Sequence, residues 1–195
     1  MDILVALVGF SFVSAVTPGP NNILLWASGA EFGLRRTVRH VIGTALGLGA
    51  MALAMAAGLG TLITTVPEIA FVMKLGGTVY LLYLAWQIAG AHSLERPDVA
   101  HPLGLVQAAA FQAINPKAWI FALGAITTFR PPALPVAVGS VAVAITMMLV
   151  IVPSAALWAA GGGALSQFIT GGRAHRIVSL VLAALLALSV VYVWI

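Results

Sequence analysis

Long apolar runs separated by brief polar stretches dominate this chain. A helix crossing a bilayer needs roughly 20 mostly apolar residues. Six runs meet that length: residues 3–28, 41–66, 69–91, 103–128, 134–160 and 177–195. The first is interrupted by Thr17-Pro18-Gly19-Pro20-Asn21-Asn22 and the fourth by Asn115-Pro116-Lys117. The pattern predicts an all-α, polytopic membrane protein of six transmembrane helices, with helices one and four broken at proline. A re-entrant first run would leave five spans. The polar connections are residues 31–40, Pro67-Glu68, residues 92–102, Arg130-Pro131-Pro132 and residues 171–176. None is long enough for a soluble unit, so residues 1–195 read as a single transmembrane domain. Met1-Asp2-Ile3 lacks the basic start of a signal peptide, and the first apolar run outlasts a signal-peptide core. It is expected to be a retained span.

Composition strengthens this reading. The chain is 62% hydrophobic and 7% charged, with a mean hydropathy of +1.09, whereas soluble domains carry about 25% charged residues. The net charge of +4 does not point to nucleic acid, because the basic residues fall in short connections. Arg35, Arg36, Arg39, Arg96, Arg173 and Arg176 lie on one predicted side and only Arg130 on the other. The positive-inside rule then places both termini outside, in an inner (plasma) membrane, with Trp26, Trp86 and Trp158 near cytoplasmic helix ends as an aromatic belt. The chain has no cysteine, which excludes disulfides, thiolate metal sites and thiol redox relays. His40, His92, His101 and His175 lack metal-ligand spacing and are expected to titrate at the cytoplasmic surface. No cofactor or metal is expected. An intramembrane enzyme would need a nucleophile–base pair or paired carboxylates at depth, and the sequence offers neither.

The halves 1–98 and 99–195 each read as three helices, so they would form two inverted three-helix repeats. Pro18 and Pro116 are 98 residues apart, and Gly43-Thr44 has a counterpart in Gly139-Ser140. Interrupted helices at matching positions of inverted repeats point to a transporter binding site.

The chemistry of the breaks supports that idea. Pro18 and Pro20 lack N–H groups and Gly19 weakens the helix between them. Carbonyls near Ser14, Ala15 and Val16 then lose their helical donors and need partners or a water-filled cavity. Asn21 and Asn22 supply amides there, and the helix restarting at Pro20 turns its positive end toward the membrane centre. In the second break Asn115 suits an N-cap and Pro116 the first helical position. Lys117 adds a full charge, which costs about 2.5–3.5 kcal/mol at a bilayer centre on insertion scales. Asp2, Glu31, Glu68, Glu95 and Asp98 all lie near helix ends or in connections. A substrate carboxylate is the natural partner for Lys117, and Lys117 is the only titrating candidate at depth. Thr17, Pro18, Gly19, Pro20, Asn21, Asn22, Asn115, Pro116 and Lys117 are therefore the candidate substrate-binding residues. Packing kinks are the alternative reading, in a non-catalytic membrane subunit or channel.

Other features have plainer uses. Gly43-x-x-x-Gly47 suits close helix packing, either within the chain or at a homodimer seam. The arginines of residues 31–40 suit orientation and anionic-lipid contact, with a gate salt bridge as the alternative. Lys74 would snorkel to the outer interface or face a pathway. Gly161-Gly162-Gly163 lacks the Gly-Lys-Ser/Thr of a phosphate loop and reads as a helix end.

Three segments in this order carry a family resemblance: Thr17 to Asn22, Tyr80-Leu81-Leu82-Tyr83-Leu84-Ala85-Trp86, and Asn115-Pro116-Lys117-Ala118. The chain resembles the lysine exporter (LysE/RhtB) superfamily over essentially its whole length. Ala27-Ser28-Gly29-Ala30-Glu31-Phe32-Gly33-Leu34-Arg35-Arg36-Thr37 and Phe111-Gln112-Ala113-Ile114-Asn115-Pro116-Lys117-Ala118-Trp119 are similar to the cysteine/O-acetylserine exporter branch. The resemblance implies efflux of small neutral amino acids or derivatives, driven by the proton-motive force. The chain departs from the lysine-exporting branch, whose second helix carries an acidic residue absent here, which puts basic substrates in doubt.

Overall fold

The computed structural model describes residues 2–90, 101–166 and 172–194. Most of the predicted connection 92–102, with His92, Glu95, Arg96 and Asp98, lies outside them, as do residues 167–171. Among the described residues the fold is helical without strands: α1 (Asp2–Val16), α2 (Pro20–Ala54), α3 (Gly60–Thr65), α4 (Pro67–Gly90), α5 (Leu105–Phe111), α6 (Pro116–Phe129), α7 (Val136–Ser166), α8 (Gly172–Leu188) and α9 (Val191–Trp194). Pro20–Thr65, Pro67–Gly90 and Val136–Ser166 are long and apolar enough to cross a membrane, while Ile3–Val16, Leu105–Ile114 and Arg176–Leu188 are apolar but shorter.

The predicted connection 31–40 is not a loop. Its turn is one residue inside α2, Gly33, at φ 74° and ψ 163°. Two side-chain bonds show that the chain folds back there. Thr44 Oγ1 lies 3.2 Å from Asn21 Oδ1, although 23 residues of straight helix would separate them by about 34 Å. Ser28 Oγ lies 3.3 Å from His40 Nδ1. α2 is therefore a helical hairpin, 20–32 against 34–54, and the arginines of this segment sit on helix rather than in a loop. This backbone conformation is essentially restricted to glycine. A Cβ on Gly33 would meet no atom within 4 Å, so the cost of Gly33→Ala is conformational alone. It is expected to destabilise the fold by about 1–3 kcal/mol, read by thermal unfolding in detergent.

His40 corrects a second expectation. It is fully buried in the hairpin, not at the cytoplasmic surface, and its Nε2 has no partner. Beyond Ala54 a π-helical turn, Met55–Leu59, carries Gly58 at φ 117° and interrupts the regular helix within the predicted run 41–66. Arg173 and Arg176 lie within α8, not in a loop before it.

Small residues set the packing. Gly43 and Gly47 face the backbone of α5: a Cβ on them would come within 2.3 Å of the Leu105 carbonyl oxygen and 2.6 Å of that of Ala109. The Gly43-x-x-x-Gly47 face is thus filled within the chain and offers no homodimer seam. Gly161-Gly162-Gly163 is interior to α7 rather than a helix end. There a Cβ on Gly162 would lie 1.9 Å from the Trp26 carbonyl oxygen, and one on Gly29 would lie 1.8 Å from that of Ala159. Lys74 stands 5.9 Å from the centroid of the Trp194 ring, and the Trp194 indole N–H donates to Thr78 Oγ1 at 3.0 Å. A cation–π contact of this kind pins α9 to α4.

One apolar core joins α1, α2, α6 and α7 through Leu7, Leu25, Ala52, Ala122, Met147 and Ile151. A second gathers Ile23, Leu24, Leu81, Leu84, Phe111 and Leu186. Large apolar side chains also face outward, with Val106 76%, Leu149 70% and Ile120 68% exposed. A water-soluble surface does not tolerate such a continuous apolar exterior. A lipid-facing one requires it, and the molecule is a multi-pass membrane protein.

Candidate functional site

The first break begins where α1 ends at Val16. The Thr17 N–H still reaches the Val13 carbonyl at 3.0 Å, but Pro18 and Pro20 supply no donors to the last carbonyls of α1. Asn22 replaces them. Its Nδ2 donates to the Ala15 carbonyl at 2.7 Å and the Thr17 carbonyl at 2.9 Å. Gly19 is extended, and Pro20 is the first residue of the restarted helix. A Cβ at Gly19 would lie 2.7 Å from Lys117 Cδ. Glycine is needed here for the approach of the lysine, not for its φ.

The second break runs from α5 through a 3₁₀ turn, Gln112–Ile114, to Pro116, the first residue of α6. Asn115 occupies the N-cap position, but its side chain makes no capping bond. The expected role is corrected: Asn115 Nδ2 donates to Gln112 Oε1 at 3.3 Å instead. The Trp119 indole N–H takes the Ala113 carbonyl at 3.0 Å.

The two breaks meet. The Lys117 ammonium, half-buried, donates to the carbonyl of Thr17. Gln112 Nε2 donates to Asn21 Oδ1 at 3.0 Å and to the Ala108 carbonyl at 3.0 Å. Thr44 Oγ1 adds a second bond to Asn21 Oδ1 at 3.2 Å. A backbone carbonyl is an acceptor only, so Ala108 fixes which end of Gln112 is its amide nitrogen. Gln112 Oε1 must then accept from Asn115 Nδ2, which turns Asn115 Oδ1 the other way. That oxygen is buried and has no partner. An unpaired buried acceptor costs about 1–3 kcal/mol.

These groups border a narrow cavity of about 40 Å³. Its polar lining is Ser14, Asn21, Asn22, Thr44, Gln112, Asn115 and Lys117, and Leu48, Phe121, Ile151 and Ala155 form an apolar wall. No carboxylate lines it among the described residues. One full positive charge faces only dipoles, an arrangement that favours an anionic group.

Of the nine candidate residues, Gly19, Asn21, Asn22, Asn115 and Lys117 line this cavity. Pro20 and Pro116 are buried at the starts of the two half-helices. Thr17 gives its carbonyl to the site, but its hydroxyl bonds back to Val13; with Pro18 it borders a separate apolar groove alongside Trp26, Trp158 and α8. Thr44 and Gln112 were not anticipated. Thr44 is a lone hydroxyl in an apolar stretch, and Gln112 stands three residues before the Asn115 break; polar groups within a membrane segment mark polar contacts, so both carried a signal.

The chain matches the family model described as LysE type translocator over residues 12–195. Among curated proteins it is similar to the cysteine/O-acetylserine efflux protein of Klebsiella pneumoniae, 32% identical over 65% of this chain and 65% of that relative's length. The protein of that name from Escherichia coli strain K12 is 27% identical over 94% of both chains. The one from Salmonella typhi is 30% identical over 63% of both. No solved structure gives a significant match.

Proposed function

Because the chain belongs to the LysE type translocator family, we propose that it is a secondary transporter exporting small neutral amino acids or close derivatives, of the cysteine and O-acetylserine kind, across the inner membrane. The observation that carries this reading is the meeting of the two breaks around Lys117, with no carboxylate among the described residues lining the cavity. The starts of α2 and α6 add the positive ends of two helices. A substrate carboxylate would displace the Thr17 carbonyl as the partner of the ammonium, and the Leu48, Phe121, Ile151 and Ala155 wall would hold a small side chain. Bulky or cationic side chains find neither room nor counter-charge there. The absence of an acidic lining also supports neutral over basic substrates.

In this reading the nine candidate residues act together: five line the cavity, while Thr17, Pro18, Pro20 and Pro116 shape the breaks. The driving force is the proton-motive force, used in antiport, and Lys117 is the ionisable side chain lining the cavity through which a proton would be exchanged. Six spans with both termini outside remain the proposed topology. The inverted repeat gains support from a shared spacing: Pro20 and Pro116, each opening a half-helix, are 96 residues apart, as are Gly43 and Gly139. Any homodimer would use a face other than Gly43-x-x-x-Gly47.

The test is a screen of the medium for cysteine, O-acetylserine, threonine, homoserine and arginine, with and without expression. Cysteine or O-acetylserine is expected to accumulate outside and arginine is not. Unchanged levels of all five would remove the reading.

A further inference from the structure

Asn115 lines the cavity, and its Oδ1 is a buried acceptor left without a bond among the described residues. Its orientation is not arbitrary, since the sequence of bonds from the Ala108 carbonyl through Gln112 to Asn115 Nδ2 sets it. Gln112, 1% exposed, and Asn115, 3% exposed, have little freedom to turn. A bare acceptor in a low-dielectric cavity calls for a donor, and the strongest small donor is an ammonium group. Two residues along the chain, Lys117 lines the same cavity with a full positive charge. An α-amino acid carries an ammonium and a carboxylate on one carbon, and this segment contributes both an unpaired acceptor and a cation from residues lining one cavity.

We propose that Asn115 Oδ1 is the subsite for the substrate's α-ammonium group, paired with Lys117 as the subsite for its carboxylate. This inference rests on the transport reading above and adds a chemical requirement to it: the amino group must be free and protonated. The Asn115–Pro116–Lys117 segment would then select α-amino acids over the corresponding carboxylic acids, which an ammonium alone cannot do. Gln112 is a positioning residue in this arrangement. Its side chain holds Asn115 Nδ2 and so fixes the direction of Oδ1.

Counterflow of labelled cysteine into proteoliposomes of the full chain, under reducing conditions, tests this. The competitors are unlabelled cysteine and 3-mercaptopropionate, which lacks only the amino group. The wild type is expected to prefer cysteine by about tenfold or more, the worth of a hydrogen bond to a charged group. Asn115→Ala is expected to reduce that preference to within about twofold. Asn115→Asp keeps acceptors at this position but loses the bond from Nδ2 to Gln112 Oε1; its charge attracts an ammonium and repels the competitor's carboxylate, so its preference should equal or exceed the wild type's. A wild type that carries neither cysteine nor O-acetylserine nor any other of the five screened amino acids defeats the transport reading and this inference with it. A wild type that carries cysteine but accepts 3-mercaptopropionate equally well defeats this inference alone. So does an Asn115→Ala variant that keeps the tenfold preference, or an Asn115→Asp variant that loses it.

Discussion

Lys117→Gln is expected to lower amino acid efflux by about two to four orders of magnitude, because removing one partner of a buried charge pair costs about 3–5 kcal/mol. The loss falls on transport and not on folding. The ammonium makes one bond, to the Thr17 carbonyl, and a glutamine amide can donate to that carbonyl as well. What the amide cannot supply is the charge that a carboxylate needs once it is out of water. Insertion and thermal stability should therefore stay near wild type while counterflow collapses. Lys117→Arg keeps the charge but replaces a compact ammonium with a wide planar fork. Gly19 already leaves so little room that a single Cβ would lie 2.7 Å from Lys117 Cδ. The arginine variant is expected to transport poorly as well, which separates charge alone from charge in the right place. Measured in proteoliposomes with labelled cysteine, a Lys117→Gln rate within about threefold of wild type would place the carboxylate site elsewhere; that margin is under 1 kcal/mol.

The breaks were legible because their causes are local. A proline removes its own N–H wherever it sits; α7 runs on through the lone Pro153, but Pro18-Gly19-Pro20 and Asn115-Pro116 combine proline with a second helix-weakening residue, and amides lie beside the freed groups. Asn22 serves those groups directly. What the sequence left open depended on the path of the chain between the breaks. Thr44 faces Asn21 only because the chain reverses at Gly33, and nothing in the apolar pattern separates a one-residue turn from a ten-residue loop. Arg35, Arg36 and Arg39 suggested a loop, yet a helix tolerates arginine well and simply continues through them. His40 was misplaced for the same reason: shifting the helix start from 41 to 34 carries it from a connection into the packed hairpin. The triple glycine was misread as an ending because glycine weakens helices in water. Within a membrane its value is the close approach of a second backbone, which requires knowing the partner.

That approach is the other place where a single methyl group should matter greatly. Residue 29 meets 159 and residue 162 meets 26, so the pairs run in opposite directions and α7 crosses the first arm of the α2 hairpin antiparallel. At both points the obstacle is a backbone carbonyl, 1.8 Å and 1.9 Å from where a Cβ would sit, and a carbonyl cannot rotate aside as a side chain can. Gly29→Ala and Gly162→Ala are each expected to destabilise the fold by about 3 kcal/mol or more, at the top of the range for overpacking. Gly161→Ala is the control one residue away. Its Cβ would find only Trp26 Cδ1 at 4.0 Å, and the gain in helix propensity of up to about 1 kcal/mol should leave it neutral or stabilised. The double variant Gly29→Ala with Gly162→Ala carries the sharper expectation. Once one methyl has pushed the helices apart, the second meets less resistance, so the two effects should fall short of additivity by about 1 kcal/mol or more. Unfolding by SDS titration in mixed micelles reads all four proteins. Strict additivity would mean the two contacts yield independently, and the helices would then have to bend locally instead of separating as rigid bodies.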